Sequence, residues 1–291
     1  MPTIDLPHGT VNYRVAGPEN AAASPVVFVH GFLVNATLWT KTADELAAAG
    51  IRSYAPDWPL GSHSIALAGT ADQSPRGIAR QIAAFIAALE LDDVTLVGND
   101  TGGALCQFLL DTDPSRIGRV VLTNCDAFDN FPPAPFSLLF KSFRSPTAIR
   151  ALMAPMRTAT LRHSPAGFGL LVNEPLDADQ TEGWVTPCLT DPAIRSDVAR
   201  FARAVDPQDL NAASDRLGGF DGSALLVWGT GDRFFKLDFA RRLRDKFADA
   251  RLVEIEGGRT FIPHDHPARL ATEIAAFSPT RARDTLAGRR A

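Results

Sequence analysis

Two hydrophobic rhythms alternate along the chain. In "SPVVFVHG", four apolar residues, Val26 to Val29, run without interruption between Pro25 and Gly31, the pattern of a short strand buried on both faces. A helix pattern follows over 37–50, with Leu38, Trp39, Leu46 and Ala49 near one face and Gly50 to stop it. The pair then repeats as a strand "IRSYAPDWP", an amphipathic helix "PRGIARQIAAFIAALEL", a strand "DDVTLVG", a helix "ALCQFLLDTDP" and an apolar strand "RVVLTNCD" at 119–126. Strands and helices alternating at these lengths predict a mostly parallel sheet with helices on both faces.

After residue 127 the rhythm breaks. "AFDNFPPAPFSLLFKSFRSP" is rich in Pro and Phe, and the chain up to about 220 offers helical fragments such as "DPAIRSDVARFARAVD" but no buried strand. This predicts a helical cap inserted at 128–220. The alternation resumes in "SALLVWGTGDR", a helix "DFARRLRDKF", a strand "ARLVEIEGG" and a last helix from about Pro267. The expected layout is thus a core formed by 1–127 and 221–280, with a flexible basic tail at 281–291.

Composition narrows the partners. A chain of 291 residues with 45% hydrophobic content can bury a large core. A net charge of −4 gives no basic field for nucleic acid, so a small molecule is the expected partner. The first seventeen residues lack the basic and apolar regions of an export signal, and no run of about eighteen uncharged apolar residues suggests a membrane span; a cytoplasmic location is expected. Cys106, Cys125 and Cys188 are too few and too scattered for a disulfide framework or a metal site, and they read as packing residues. Neither metal nor cofactor is expected, and the oligomeric state stays open.

The chemistry is concentrated where the strand "VTLVG" turns through "NDTGG" into a helix. Asp100 at this bend reads in two ways: as a helix N-cap, which Asp favours, or as a catalytic carboxylate lifted above the sheet by the small residues around it. The second reading also accounts for the glycines. Strand, "GNDTGG" and helix together resemble the nucleophile elbow of the α/β-hydrolase superfamily, whose usual form is GxSxG. "HGF", "DWPLGSHS", "WGTGDR" and "GGRTFIPHDHP" follow in the superfamily's order. With Asp in place of Ser, the chain is similar to the branch containing haloalkane and haloacetate dehalogenases and soluble epoxide hydrolases. An α/β-hydrolase fold with a helical cap is what this resemblance implies.

It also implies roles for individual residues. Asp100 would attack an sp³ carbon and form an ester, with the backbone N–H groups of Phe32 and Thr101 as the oxyanion hole. Asp232 would be the acid that orients a base. Where the family carries that base, a His, this chain has Thr260, which takes no proton from water at neutral pH. His63 is the candidate substitute, with a bond inside its own turn as the alternative; His264 and His266 are displaced toward the last helix, and His30 occupies a bracing position. Asn99, Trp184 and Phe128 are candidate pocket residues, and Phe128, Phe131, Phe136, Phe140 and Phe143 suggest either an apolar lid or ordinary cap packing. Asp126 is a substitute acid or a turn residue. Trp, usual after a dehalogenase nucleophile, is replaced by Thr101; both tyrosines precede the elbow, and Leu33 stands where HGxP has Pro. The expected activity is hydrolysis of a small, largely apolar molecule, dehalogenase-like or epoxide-hydrolase-like. The alternative is a ligand-binding or cofactor-free metabolite-converting protein that kept the fold and lost the water-activating His.

Overall fold

The structure is a computed structural model that describes residues 1–278, without the side chain of Pro135; the tail expected at 281–291 lies outside the described residues. Its centre is one eight-stranded sheet: β1 (Thr3–Leu6), β2 (Gly9–Ala16), β3 (Val26–Val29), β4 (Ser53–Pro56), β5 (Val94–Asp100), β6 (Ile117–Cys125), β7 (Ser223–Gly229) and β8 (Ala250–Ile255), in the order β1-β2-β4-β3-β5-β6-β7-β8. From β4 to β8 all pairs are parallel, and β1 and β2 extend the sheet antiparallel. Residues of β3 are buried throughout, as the uninterrupted apolar run requires. The β1–β2 hairpin at the sheet's edge was not legible as strands, because only Leu6 and Val11 are buried and the other residues are exposed or half-buried with no regular alternation.

Helices α1 (Thr40–Ala48), α2 (Pro75–Ala88) and α3 (Thr101–Thr112) connect the four strands β3 to β6 in turn. Leu38, Trp39 and Leu46 are buried as the pattern predicts, whereas Ala49 is exposed because α1 ends before it. Between β6 and β7 the chain runs through α4 (Ala134–Ser142), α5 (Pro146–Met153), α6 (Ala159–Arg162), α7 (Ala178–Thr190), α8 (Pro192–Ala204) and α9 (Pro207–Asp215). Helix α9 sits against α3 with the core helices, tied by Ser214 Oγ donating to Gln107 Oε1 at 2.7 Å. The remaining helices are α10 (Leu237–Arg244), α11 (Ile262–Asp265) and α12 (Pro267–Phe277). One apolar core lies beneath α2, α3 and α10. The other lies under α1 and α12 and continues into the inserted helices through Trp184, Val185 and Val198. Among the described residues, no helix is long and apolar enough to cross a membrane.

Strand order decides where chemistry belongs. From β3 the chain crosses to β4 on one side and then returns to β5 on the other, so the loops leaving β3 and β5 diverge. That divergence opens a crevice at the carboxyl ends of the two strands. The loop after β3 carries Phe32, and Asp100 ends β5.

Candidate active site

The turn at Asp100 is held by close backbone approach. Its φ of 54° and ψ of −131° are uncommon for a residue with a side chain, and two glycines make the arrangement fit. A Cβ on Gly102 would stand 2.1 Å from the Val29 carbonyl oxygen, and one on Gly31 would stand 2.1 Å from Asp100 Oδ2. The carboxyl does not cap α3. Instead, the Phe32 N–H donates to Asp100 Oδ2 at 3.1 Å, and the side chain opens on a cavity of about 360 Å³.

That cavity is almost wholly apolar. Of the 22 residues that line it, only Asp100 and Thr101 carry a side-chain oxygen or nitrogen; the wall includes Phe32, Phe136, Phe140, Phe143, Phe234 and Phe235. Burial raises the pKa of Asp100 from its ordinary 3.8 to about 7; the N–H groups of Phe32 and Thr101 pull the other way, and the charge of Asp232 adds to the rise. A folded-state pKa above the unfolded one means that ionisation between about 4 and 7 draws the protein toward unfolding. Asp100→Asn is therefore expected to melt close to the native protein at pH 4 and higher by a few degrees at pH 8. Thermal unfolding at the two pH values checks this; an equal shift at both would remove the assigned cause.

Asp232, at the end of the β7 loop, is saturated with donors. Its Oδ1 accepts from the N–H groups of Phe234 and Phe235 at 2.7 and 3.0 Å, and its Oδ2 accepts from Asn124 Nδ2 at 2.9 Å and Thr260 Oγ1 at 2.8 Å. Burial nevertheless raises its pKa, against those bonds. Thr260, fully buried, thus meets Asp232 at the position where the resemblance implies an imidazole. Asn124 is a site residue that the sequence reading missed. A polar side chain near the end of an apolar strand was the available signal, and here it also clamps β6 to β7 by accepting from the Gly229 N–H at 2.7 Å.

The histidines are all engaged or positioned elsewhere. His63 was read as a substitute base, but both its nitrogens have partners: the Gly61 N–H donates to Nδ1 at 3.2 Å, so Nε2 carries the ring proton and donates to Asp197 Oδ2 on α8 at 3.1 Å. The ring therefore ties the β4 loop to the inserted helices. His30 donates through Nδ1 to the Gly31 carbonyl at 2.9 Å and accepts from the Trp58 N–H at 2.8 Å; burial depresses its pKa to about 4, and the neutral ring braces the loop that carries Phe32. His264 and His266 do not line the cavity.

Three expected pocket residues also lie outside the lining. The indole N–H of Trp184 donates to Thr37 Oγ1 at 2.7 Å, and its ring packs on Phe168 and Phe261. Phe128 is buried beneath the Arg242 guanidinium, 4.0 Å from its ring centre. Asn99 is buried behind the turn, where its amide donates to Thr123 Oγ1 at 2.9 Å and to the Thr260 carbonyl at 2.7 Å. Phe32 and Thr101 do line the cavity beside Asp100, as do Phe136, Phe140 and Phe143 from the aromatic cluster, but Phe131 does not. Leu33 takes φ of 58° in the same loop, a conformation closed to proline.

Fold and site together define the class. The chain belongs to the alpha/beta hydrolase fold family, whose model matches residues 24–267. Its curated relatives are named hydrolases, and it is a hydrolase-type enzyme. Among them, the 2-hydroxy-6-oxo-6-phenylhexa-2,4-dienoate hydrolase of Burkholderia cepacia is 28% identical over 257 residues, covering 84% of each chain. A 2-hydroxy-6-oxononadienedioate/2-hydroxy-6-oxononatrienedioate hydrolase of Dechloromonas aromatica (strain RCB) is 26% identical over 226 residues, 75% of this chain and 74% of that one. In structure, the chain is similar to an ancestral haloalkane dehalogenase (TM-score 0.76, 21% identity, 95% and 97% of the two chains). It is also similar to the haloalkane dehalogenase DbeA from Bradyrhizobium elkani USDA94 (TM-score 0.75, 18% identity, 94% and 95%). An epoxide hydrolase, CorEH, has the same TM-score of 0.75 at 17% identity, covering 94% and 96%. At these identities the structural likeness supports the fold.

Proposed function

We propose that this protein attacks a small apolar molecule at an sp³ carbon through the Asp100 carboxylate, forming an alkyl ester that water cleaves slowly. One observation carries the reading: Asp100 is the only ionisable side chain among the residues lining an apolar cavity. A carboxylate in such a place is poorly solvated, and esterification discharges it, so the attack is favoured by the same burial that raises its pKa. The Phe32 N–H, already on Oδ2, holds the carboxylate and would face the oxygen that becomes anionic when water attacks the ester. That second step lacks a base, since Asp232 meets Thr260 and Asn124. The relatives' substrates are carboxylates by name, whereas no Lys or Arg lines this cavity to receive one. An uncharged substrate fits it better.

The test is the intact mass of the protein after incubation at pH 8 with apolar epoxides and alkyl bromides. A stoichiometric gain that maps to the peptide containing Asp100 is expected. A second reading is favoured by the pKa of about 7: with a proton affinity matched to neutral pH, Asp100 would move a substrate proton without a covalent step. Turnover of a ligand with no mass gain would select that reading over ester formation.

A further inference from the structure

Beside Asp100 lies a second acid with an unusual environment. Asp126, just past β6, is 1% exposed, and its Oδ1 has no hydrogen-bond partner. Thr101 Oγ1 donates to its Oδ2 at 3.1 Å, a bond that reverses when that oxygen carries a proton. No cation contacts the carboxyl among the described ion pairs. A buried carboxylate held by one hydroxyl is costly. Accordingly, its pKa is pushed well above the usual range, first by burial and then by the charge of Asp100, with the Thr101 hydroxyl acting the other way. A carboxyl so enclosed, with Oδ1 unpartnered, is accommodated better neutral than charged, the more so beside an ionised Asp100.

Thr101 connects this proton to the cavity. Thr101 is the only lining residue besides Asp100 whose side chain carries a polar group, and a hydroxyl can accept a proton from one side while donating on the other. We propose that Thr101 relays the Asp126 proton to the oxygen released when Asp100 opens an epoxide, and that this relay selects epoxides over alkyl halides. The inference rests on the Asp100 nucleophile reading. In the step, an Asp100 oxygen forms a bond to a ring carbon and the ring C–O bond breaks with its electron pair on oxygen. That oxygen takes the Thr101 proton, and Thr101 takes the Asp126 proton. The products are a neutral hydroxyalkyl ester at Asp100 and a carboxylate at Asp126, so the site keeps one negative charge throughout. Asp126 acquires its charge as the charge on Asp100, which had opposed it, disappears. A departing halide needs N–H donors instead, and the indole of Trp184 is already committed to Thr37.

The test compares rates of covalent mass gain with styrene oxide and with 2-phenylethyl bromide, for the full chain and for Thr101→Val, Thr101→Ser and Asp126→Asn, each first shown to be folded by thermal unfolding. The native protein is expected to react faster with the epoxide. The ratio of epoxide to bromide rates is expected to fall about 10- to 100-fold in Thr101→Val and Asp126→Asn and to stay within about threefold of native in Thr101→Ser. A solvent deuterium effect is expected on the epoxide reaction alone. An unchanged ratio in both Thr101→Val and Asp126→Asn, or a faster bromide reaction in the native chain, overturns the relay while leaving nucleophilic attack intact. No mass gain with either reagent overturns both.

Discussion

Asp100→Asn is expected to reduce covalent mass gain by at least about 10³-fold with every reagent that labels the native protein. On the proposed reading, removing the carboxylate removes the reaction path itself rather than one of its supports. The amide retains a carbonyl oxygen to accept from the Phe32 N–H, so the bond now at 3.1 Å survives and the loop keeps its place. Loss of labelling with unchanged folding therefore speaks to chemistry. The pH dependence gives a second measure. Attack requires the ionised carboxyl, whose pKa is raised to about 7 by burial, so the native labelling rate should climb through neutral pH and level off above about 8. A rate that is flat from pH 5 to 9, or an Asn variant that labels at the native rate, would exclude Asp100 as the attacking group.

The parts of this site that were legible in the sequence are those created by neighbouring residues. A strand, a glycine-flanked acid and a helix lie within about twenty positions, and the physics of the turn is local: Gly102 lets the helix start against Val29, and Gly31 leaves room for the carboxyl. Core strand β3 was equally readable, since burial on both faces favours an unbroken apolar run, and β5 was readable from its apolar Val94, Leu96 and Val97 before the turn. The edge hairpin β1–β2, half exposed, left no such trace. What could not be read depended on distant partners. His63 looks available until Asp197, 134 positions away, meets it. Trp184 and Phe128 are apolar and buried, but hydrophobicity alone does not say whether a ring faces the cavity or the core behind it. Asn124 gains its role only when β6 and β7 become neighbours and their ends bring it to Asp232. The sequence also shows Thr260 where the resemblance implies a base; in the structure its hydroxyl donates to Asp232, the acid expected to orient that base.

That substitution leads to the opposite kind of prediction, a gain. In Thr260→His, the ester formed at Asp100 is expected to decay about 100-fold faster than in the native protein. An imidazole at 260 can donate one ring N–H to Asp232 Oδ2 in place of the threonine hydroxyl, whose bond is 2.8 Å long. Its other nitrogen is then left to take a proton from water, a contribution of about 10²- to 10⁴-fold for a well-placed base. The lower end is expected because Thr260 is completely buried and the larger ring must displace neighbours, at about 1–3 kcal/mol of stability. Decay of the labelled mass after excess reagent is removed measures the rate. Thr260→Asn supplies a control that fills part of the space without a base. The companion Thr260→His, Asp232→Asn double variant should lose most of the gain, because the acid no longer fixes the ring's tautomer and orientation. If Thr260→His folds and its ester persists as long as the native one, the missing imidazole is not what slows hydrolysis, and the obstacle lies instead in the access of water to an apolar cavity.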